Sequence, residues 1–187
     1  MKHSKIKQTI IDTATRLFYS NGYNRTGINE IIKEAGIAKA TLYSHFPSKE
    51  DICIAYLQNK SSVFERDIEE FCLSKPKGEE RILAIFDFLQ AFFQDKDFNG
   101  CWCIKTVAEI PKDNQRIQEE IRAQKNTLIK FISGLALDNL HGMDEETSKV
   151  LGRRIYLLYE SAVAESHLHQ ADWPIAEMKK VSSQLIS

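Results

Sequence analysis

Apolar residues recur through the chain at the three- and four-residue spacing of a helix, and no stretch shows the alternation of a strand. Ile6, Ile10, Ala14, Leu17 and Phe18 predict a first helix over 4–20, ended by Asn21-Gly22 as a left-handed cap would end it. Ile28, Ile31, Ile32 and Ala35 predict a second over about 28–35, stopped at Gly36. Ala38, Leu42 and Phe46, four apart, predict a third and very short helix over about 39–45 with one apolar stripe. Three such stripes in fifty residues can close one small core.

Pro47 breaks the chain, and Ser48-x-x-Asp51 resembles a helix-starting cap. The fourth helix, about 49–73, changes face: Ile52, Tyr56 and Val63 form one stripe, Phe64, Ile68 and Phe71 another. Two apolar faces in series can serve two cores, so this helix reads as a rigid connector. Ser74 to Gly78, with Pro76, is the clearest break. A fifth helix follows over about 79–95, with Ile82, Leu83, Ile85, Phe86, Phe88, Leu89, Phe92 and Phe93; it is apolar over most of its circumference and so buried on most sides. The sixth, about 101–110, starts after Asn99-Gly100 and stops at Pro111. The seventh, about 113–140, carries Ile117, Ile121, Leu128, Ile132 and Leu135. The eighth, about 145–169, carries Leu151, Ile155, Leu158, Ala162 and Leu168; the ninth, about 173–186, Ile175, Met178, Val181 and Leu185. The expected fold is all-α, with about nine helices and divisions at residues 1–47, 48–73 and 74–187.

Composition is that of an ordinary globular protein of 187 residues, long enough for one good core or two small ones. No apolar run approaches the ~20 residues needed to cross a bilayer, so a cytoplasmic protein is expected. Net charge is −1, but it is uneven: residues 1–50 hold eight Lys/Arg against four Asp/Glu, and the remainder 17 against 22. A basic front and an acidic back suggest that the front meets a polyanion. Cys53, Cys72, Cys101 and Cys103 form no zinc-ligand spacing and read as thiols. No metal and no cofactor are expected. No paired carboxylates, nucleophile motif or phosphate-cradling loop argues for an enzyme, and His141, His167 and His169 make no site.

Two short helices joined by a Gly-containing turn make a helix-turn-helix, although a neutral helical hairpin has the same outline. The third helix carries Lys39, Ala40, Thr41, Tyr43 and Ser44 away from its apolar stripe. Hydroxyls and Lys reach phosphates, and short side chains let a helix approach base edges. Lys49 opposes the dipole of the fourth helix; it is either a phosphate clamp or a solvated cation.

These residues resemble a known family. Gly22-Tyr23, Thr26, Ile28, Ile31, Ala35-Gly36-Ile37, Lys39-Ala40-Thr41-Leu42-Tyr43, His45-Phe46 and Ser48-Lys49-Glu50 closely resemble the amino-terminal signature of TetR-type (TetR/AcrR) transcriptional regulators. The resemblance covers roughly residues 5–60. It implies an all-α homodimer whose three-helix front binds DNA and whose helical back binds an effector and dimerises. It implies that Thr26 touches a phosphate, that Lys39, Ala40, Thr41 and Ser44 face the major groove, and that Tyr43, His45 and Lys49 contact backbone phosphates. Leu42 and Phe46 would pack. Gly27 departs from the usual Thr or Ser, which removes a second hydroxyl beside Thr26.

The last two helices would form the dimer interface. Gly152 inside the eighth helix fits either a close helix crossing or isolated tolerance of glycine. Phe64, Phe86, Phe93, Trp102 and Tyr156 would line an effector pocket or serve as ordinary core. Cys101, expected in the first turn of the sixth helix with Lys105 one turn on, fits either a redox- or electrophile-sensing thiol, as in some members, or an inert buried one. The function expected is a homodimeric, sequence-specific transcriptional regulator, a repressor released from a palindromic operator by a small molecule or reactive electrophile. The alternative is a constitutive DNA binder of the same fold acting through a protein partner.

Overall fold

The computed structural model describes residues 2–186, with side chains from residue 5. Among the described residues there are nine helices and no strand: α1 (Lys2–Asn21), α2 (Ile28–Ala35), α3 (Lys39–His45), α4 (Lys49–Leu73), α5 (Glu79–Phe93), α6 (Trp102–Glu109), α7 (Gln115–Asn139), α8 (Glu145–His169) and α9 (Trp173–Ile186). The all-α expectation and the helix order both stand. Local chemistry sets the ends. Gly22, at φ 90°, donates its N–H to Phe18 O at 3.0 Å and closes α1. Gly36, at φ 63° and ψ 35°, caps α2 in the left-handed conformation that glycine adopts without steric cost. Asp144 caps α8 by accepting from Thr147 N–H at 2.7 Å.

The chain packs as two compact units, residues 1–63 with 102–123, and residues 64–101 with 124–187. The division falls inside α4, and again at the start of α6 and inside α7. The first unit buries Ile10, Ala14, Leu17, Phe18, Ile31, Leu42, Phe46, Ile52, Tyr56 and Leu57, together with Cys103, Ile117 and Ile121. Phe18 sits at its centre, its ring 5.5 Å from Tyr23 and 5.6 Å from Tyr56. The second unit buries Ile68, Ile82, Ile85, Phe86, Leu89, Ile132, Ile155, Tyr159 and Ile175 in one cluster. Each large apolar side chain withdrawn from water contributes about 1.5–3 kcal/mol to its unit.

Two apolar residues assigned to buried stripes, Ala38 and Val63, are exposed instead. Ala38 lies outside the stripe of α3: it is the extended N-cap at φ −76° and ψ 150°, and it is exposed. Val63 is 42% exposed, because the buried line of α4 runs through Cys53, Leu57, Ser61, Ile68 and Cys72. Leu168 is 71% exposed, and Val181 and Leu185 also face solvent. Gly152 does mark a close crossing. A Cβ there would collide with Ser133 and come within 2.9 Å of its backbone, so the approach is between α8 and α7 of the same chain.

Candidate nucleic-acid interface

The short helix α3 is held from behind by Leu42, fully buried, and Phe46, 4% exposed. The Gly36 cap turns the chain from α2 and leaves α3 standing proud. Its other side is the surface expected to read DNA. Lys39, Ala40, Tyr43 and Ser44 are exposed there, and Thr41 is half-buried beside them. Tyr43 is 42% exposed, so its ring does not pack into the core. The Ser44 hydroxyl donates to Thr41 O at 2.8 Å. A phosphate oxygen only accepts, so Ser44 would have to release that bond to reach one; it can accept from a base amino group without rearranging. His45 is half-buried at the end of α3.

Thr26 is a correction. Its side chain is fully buried, and its hydroxyl lies 2.8 Å from Gly22 O and 3.2 Å from Leu17 O. A single hydroxyl proton committed to the end of α1 is not available to a phosphate. Thr26 instead ties the α1–α2 turn to α1. Gly27 then takes the N-cap place of α2, where Glu30 accepts its N–H at 3.4 Å.

Lys49, at the start of α4, holds its ammonium 4.3 Å from the centre of the Tyr23 ring. Partial burial lowers its pKa from the usual lysine value, and the aromatic face compensates with a cation–π contact. The same helix start is capped by Ser48, which accepts from Asp51 N–H at 3.1 Å and donates to the Asp51 carboxylate at 2.6 Å. That hydroxyl, then Arg116, holds the Asp51 carboxyl below its ordinary range.

Some groups beside this surface gave no clue in the sequence. Arg25 is exposed in the turn before α2. Lys7 of α1 reaches to 5.7 Å from the Phe46 ring, which brings a cation beside α3. Glu109, at the end of α6, accepts from Asn24 N–H at 2.7 Å, while its carbonyl accepts from the Asn24 side chain at 2.7 Å. A Cβ on Gly22 would collide with the Glu109 carboxylate. Contacts spanning 85 residues leave no periodic signature; only a glycine that must stay bare hints at one.

The cysteine expectation changes partner. Cys101 precedes α6 and is half-buried. Lys105 does not accompany it; its ammonium donates to Tyr19 O at 3.0 Å and lies over the Tyr19 ring. Lys125 of α7 is the cation at Cys101, with Nζ 3.2 Å from Sγ and 2.6 Å from Glu160 Oε1. The other three thiols are buried, and burial pushes Cys53 and Cys72 up to about 12.

The expected effector-lining aromatics divide between the units. Phe86 is fully buried in the second core, its ring 6.0 Å from Tyr159. Phe64, Phe93 and Tyr156 pack partly buried against that core. Trp102 belongs to the first unit, buried, with Lys60 5.5 Å from its ring. Three surface cavities in the second unit are lined by none of the five: a groove of about 440 Å³ between α7 and α8, one of about 340 Å³ beside Lys179, and one of about 130 Å³ beside Phe131.

The helix α2, the Gly36 turn and the short polar α3 form a helix-turn-helix, the reading element of a class of DNA-binding regulators. Residues 10–56 match the family model for bacterial regulatory proteins of the tetR family. The biofilm operon icaADBC HTH-type negative transcriptional regulator IcaR of Staphylococcus aureus (strain Newman) is 36% identical over 175 residues, covering 93% of this chain and 91% of that protein. The chain belongs to the TetR family of transcriptional regulators. Two solved structures share the fold: SCO4454, a TetR-family regulator of Streptomyces coelicolor (TM-score 0.87, 23% identity, 98% of this chain and 95% of that one), and the reduced form of NemR of E. coli (TM-score 0.84, 19% identity, 98% and 97%).

Proposed function

We propose that the chain is a homodimeric repressor that binds an imperfectly palindromic operator and leaves it on a chemical signal. The observation that carries this reading is the outward face of α3, where Lys39, Ala40, Thr41, Tyr43 and Ser44 stand over the buried anchors Leu42 and Phe46. Lys39 and Tyr43 contact phosphates or base edges, His45 and Lys49 contact phosphates, and two such heads occupy major grooves about 34–36 Å apart. The dimer forms through α8 and α9, whose exposed Leu157, Leu168, Trp173, Val181 and Leu185 are costly to leave in water. Repression is favoured by the negative regulation named for the Staphylococcus aureus relative. A DNA-binding role is in keeping with a cytoplasmic protein.

The signal enters the second unit. One route is a small molecule among Phe64, Phe86, Phe93 and Tyr156. The other is an electrophile or oxidant at Cys101, favoured by the Lys125 ammonium 3.2 Å from its sulfur, a setting that stabilises a thiolate. Selection of bound duplexes from a random pool, with purified protein, tests the first claim. A twofold-symmetric site is expected, and enrichment of asymmetric or unrelated sequences would count against it. Tyr43→Ala should weaken binding to every duplex while leaving its salt slope unchanged, since a phenol carries no charge, whereas Thr41→Ala should alter base preference. Alkylation by a reactive aldehyde should release DNA from the wild type and not from Cys101→Ser. Equal release from both removes the thiol from the scheme.

A further inference from the structure

The start of α4 carries a charge problem. Lys49, the cation assigned to a phosphate, is followed directly by Glu50 and Asp51. Two carboxylates next to a phosphate-binding lysine repel the polyanion that the lysine attracts. The structure answers with one residue from α7. Arg116 Nη1 is 2.5 Å from Glu50 Oε1, and Nη2 is 2.9 Å from Asp51 Oδ1, so a single guanidinium spans both acids. Asn114, which caps α7 by accepting from Ile117 N–H at 3.1 Å, also donates to Glu50 Oε2 at 2.8 Å. Arg116 stays 60% exposed and the two acids about a quarter exposed. Ion pairs this wet add little to fold stability. Their electrostatic reach is another matter, because the Debye length at 0.1 M salt is about 10 Å.

We propose that Arg116, which lies outside the helix-turn-helix, sets the affinity of the head for DNA by cancelling the two carboxylates that flank Lys49. It is a positioning and charge-compensating residue, not a base reader. The inference rests on the assignment of Lys49 and the start of α4 to the DNA backbone. Its effect is sequence-independent, since it acts on the phosphate term that dominates non-specific binding.

The test uses the full-length protein and a random-sequence duplex of about 40 base pairs, titrated at several salt concentrations. Arg116→Gln should bind about tenfold more weakly near 0.05 M salt, with the gap closing to about twofold near 0.3 M as the carboxylates are screened. Adding Glu50→Gln and Asp51→Asn to that variant should restore binding to within about twofold of wild type. The same two changes with Arg116 intact should tighten binding several-fold, because the guanidinium is then uncompensated. Arg116→Lys, which keeps the charge and loses the fork, should bind near wild type. A merely structural clamp behaves differently: its loss would be independent of salt and unrescued by removing the acids, and either result overturns the proposal, as would wild-type affinity in Arg116→Gln. If Arg116→Gln does not fold, Arg116→Lys and the Glu50→Gln/Asp51→Asn variant carry the same prediction. Lys49→Gln is measured alongside. An unchanged salt slope there means that α4 does not meet the backbone, and the interface assignment fails rather than the role of Arg116 alone.

Discussion

The two units differ less in what holds them together than in what they leave exposed. The first is cross-tied by polar contacts between residues far apart in the chain: Asn24 to Glu109, Lys105 to Tyr19, Asn114 and Arg116 to Glu50 and Asp51, Gln58 to Glu120. Each has a direction and a length, so together they fix where α1 and α4 stand. The second unit has long-range ties of the same kind, Gln90 to Asp172, Lys125 to Glu160 and Lys179 to Asp87, beside edge-on aromatic pairs such as Phe64–Phe88 and Phe92–Phe98. Its outward face along α8 and α9 is apolar and uncovered in the single chain. A polar surface such as that of α3 suits a charged duplex, and an uncovered apolar face suits a second copy.

The contrast can be broken at its strongest point first. Leu157→Glu puts a charge on the exposed α8 face, where Leu157 is 66% exposed. The single chain should tolerate it. The dimer should lose at least about 2 kcal/mol, more than about thirtyfold in dissociation constant, read by light scattering on a dilution series. An unchanged dimer moves the interface elsewhere. Gly152→Ala should cost about 1–3 kcal/mol in denaturant midpoint, because the added methyl meets Ser133 across the α7–α8 crossing; a neutral result would mean that the crossing opens easily. Glu109→Ala should cost about 0.5–1.5 kcal/mol by removing the acceptor of Asn24 N–H. It should weaken operator binding more than its stability loss alone explains. The smallest effect concerns pH. The Asp51 carboxyl is depressed below its ordinary value of 3.8, first by Ser48 and then by Arg116. Its contribution is therefore complete above that value and fades as pH falls through the lowered folded value. After screening it is under about 1 kcal/mol, and Asp51→Asn should flatten the acid limb of urea midpoints by that much.

Much of the head was legible because its information is local. Gly36 demands a left-handed turn, Leu42 and Phe46 demand burial, and a seven-residue helix has few ways to satisfy both while exposing Lys39 and Tyr43. Thr26 was misjudged because a hydroxyl in a turn can point either way, and only the approach of the α1 carbonyls decides. Lys105 was paired with Cys101 on helical spacing. Cys101 lies before the helix, and the cation that reaches it comes from 24 residues away. Leu168, Val181 and Leu185 lie on helices expected to form an interface, and periodicity reports only that a face is apolar, not what covers it. The boundaries of the first unit were invisible for a related reason: nothing in residues 102–123 announces that they pack with residues 1–63.

That last feature bears on how such regulators can be recombined. The amino-terminal 63 residues carry the proposed reading surface but lack Glu109, Asn114 and Arg116. A hybrid that grafts only this front piece onto a relative's remainder would inherit foreign neighbours at the α1–α2 turn and at the start of α4. Carrying the 102–123 insert along with it moves the entire mechanical assembly, and a functional chimera should require both segments from one parent.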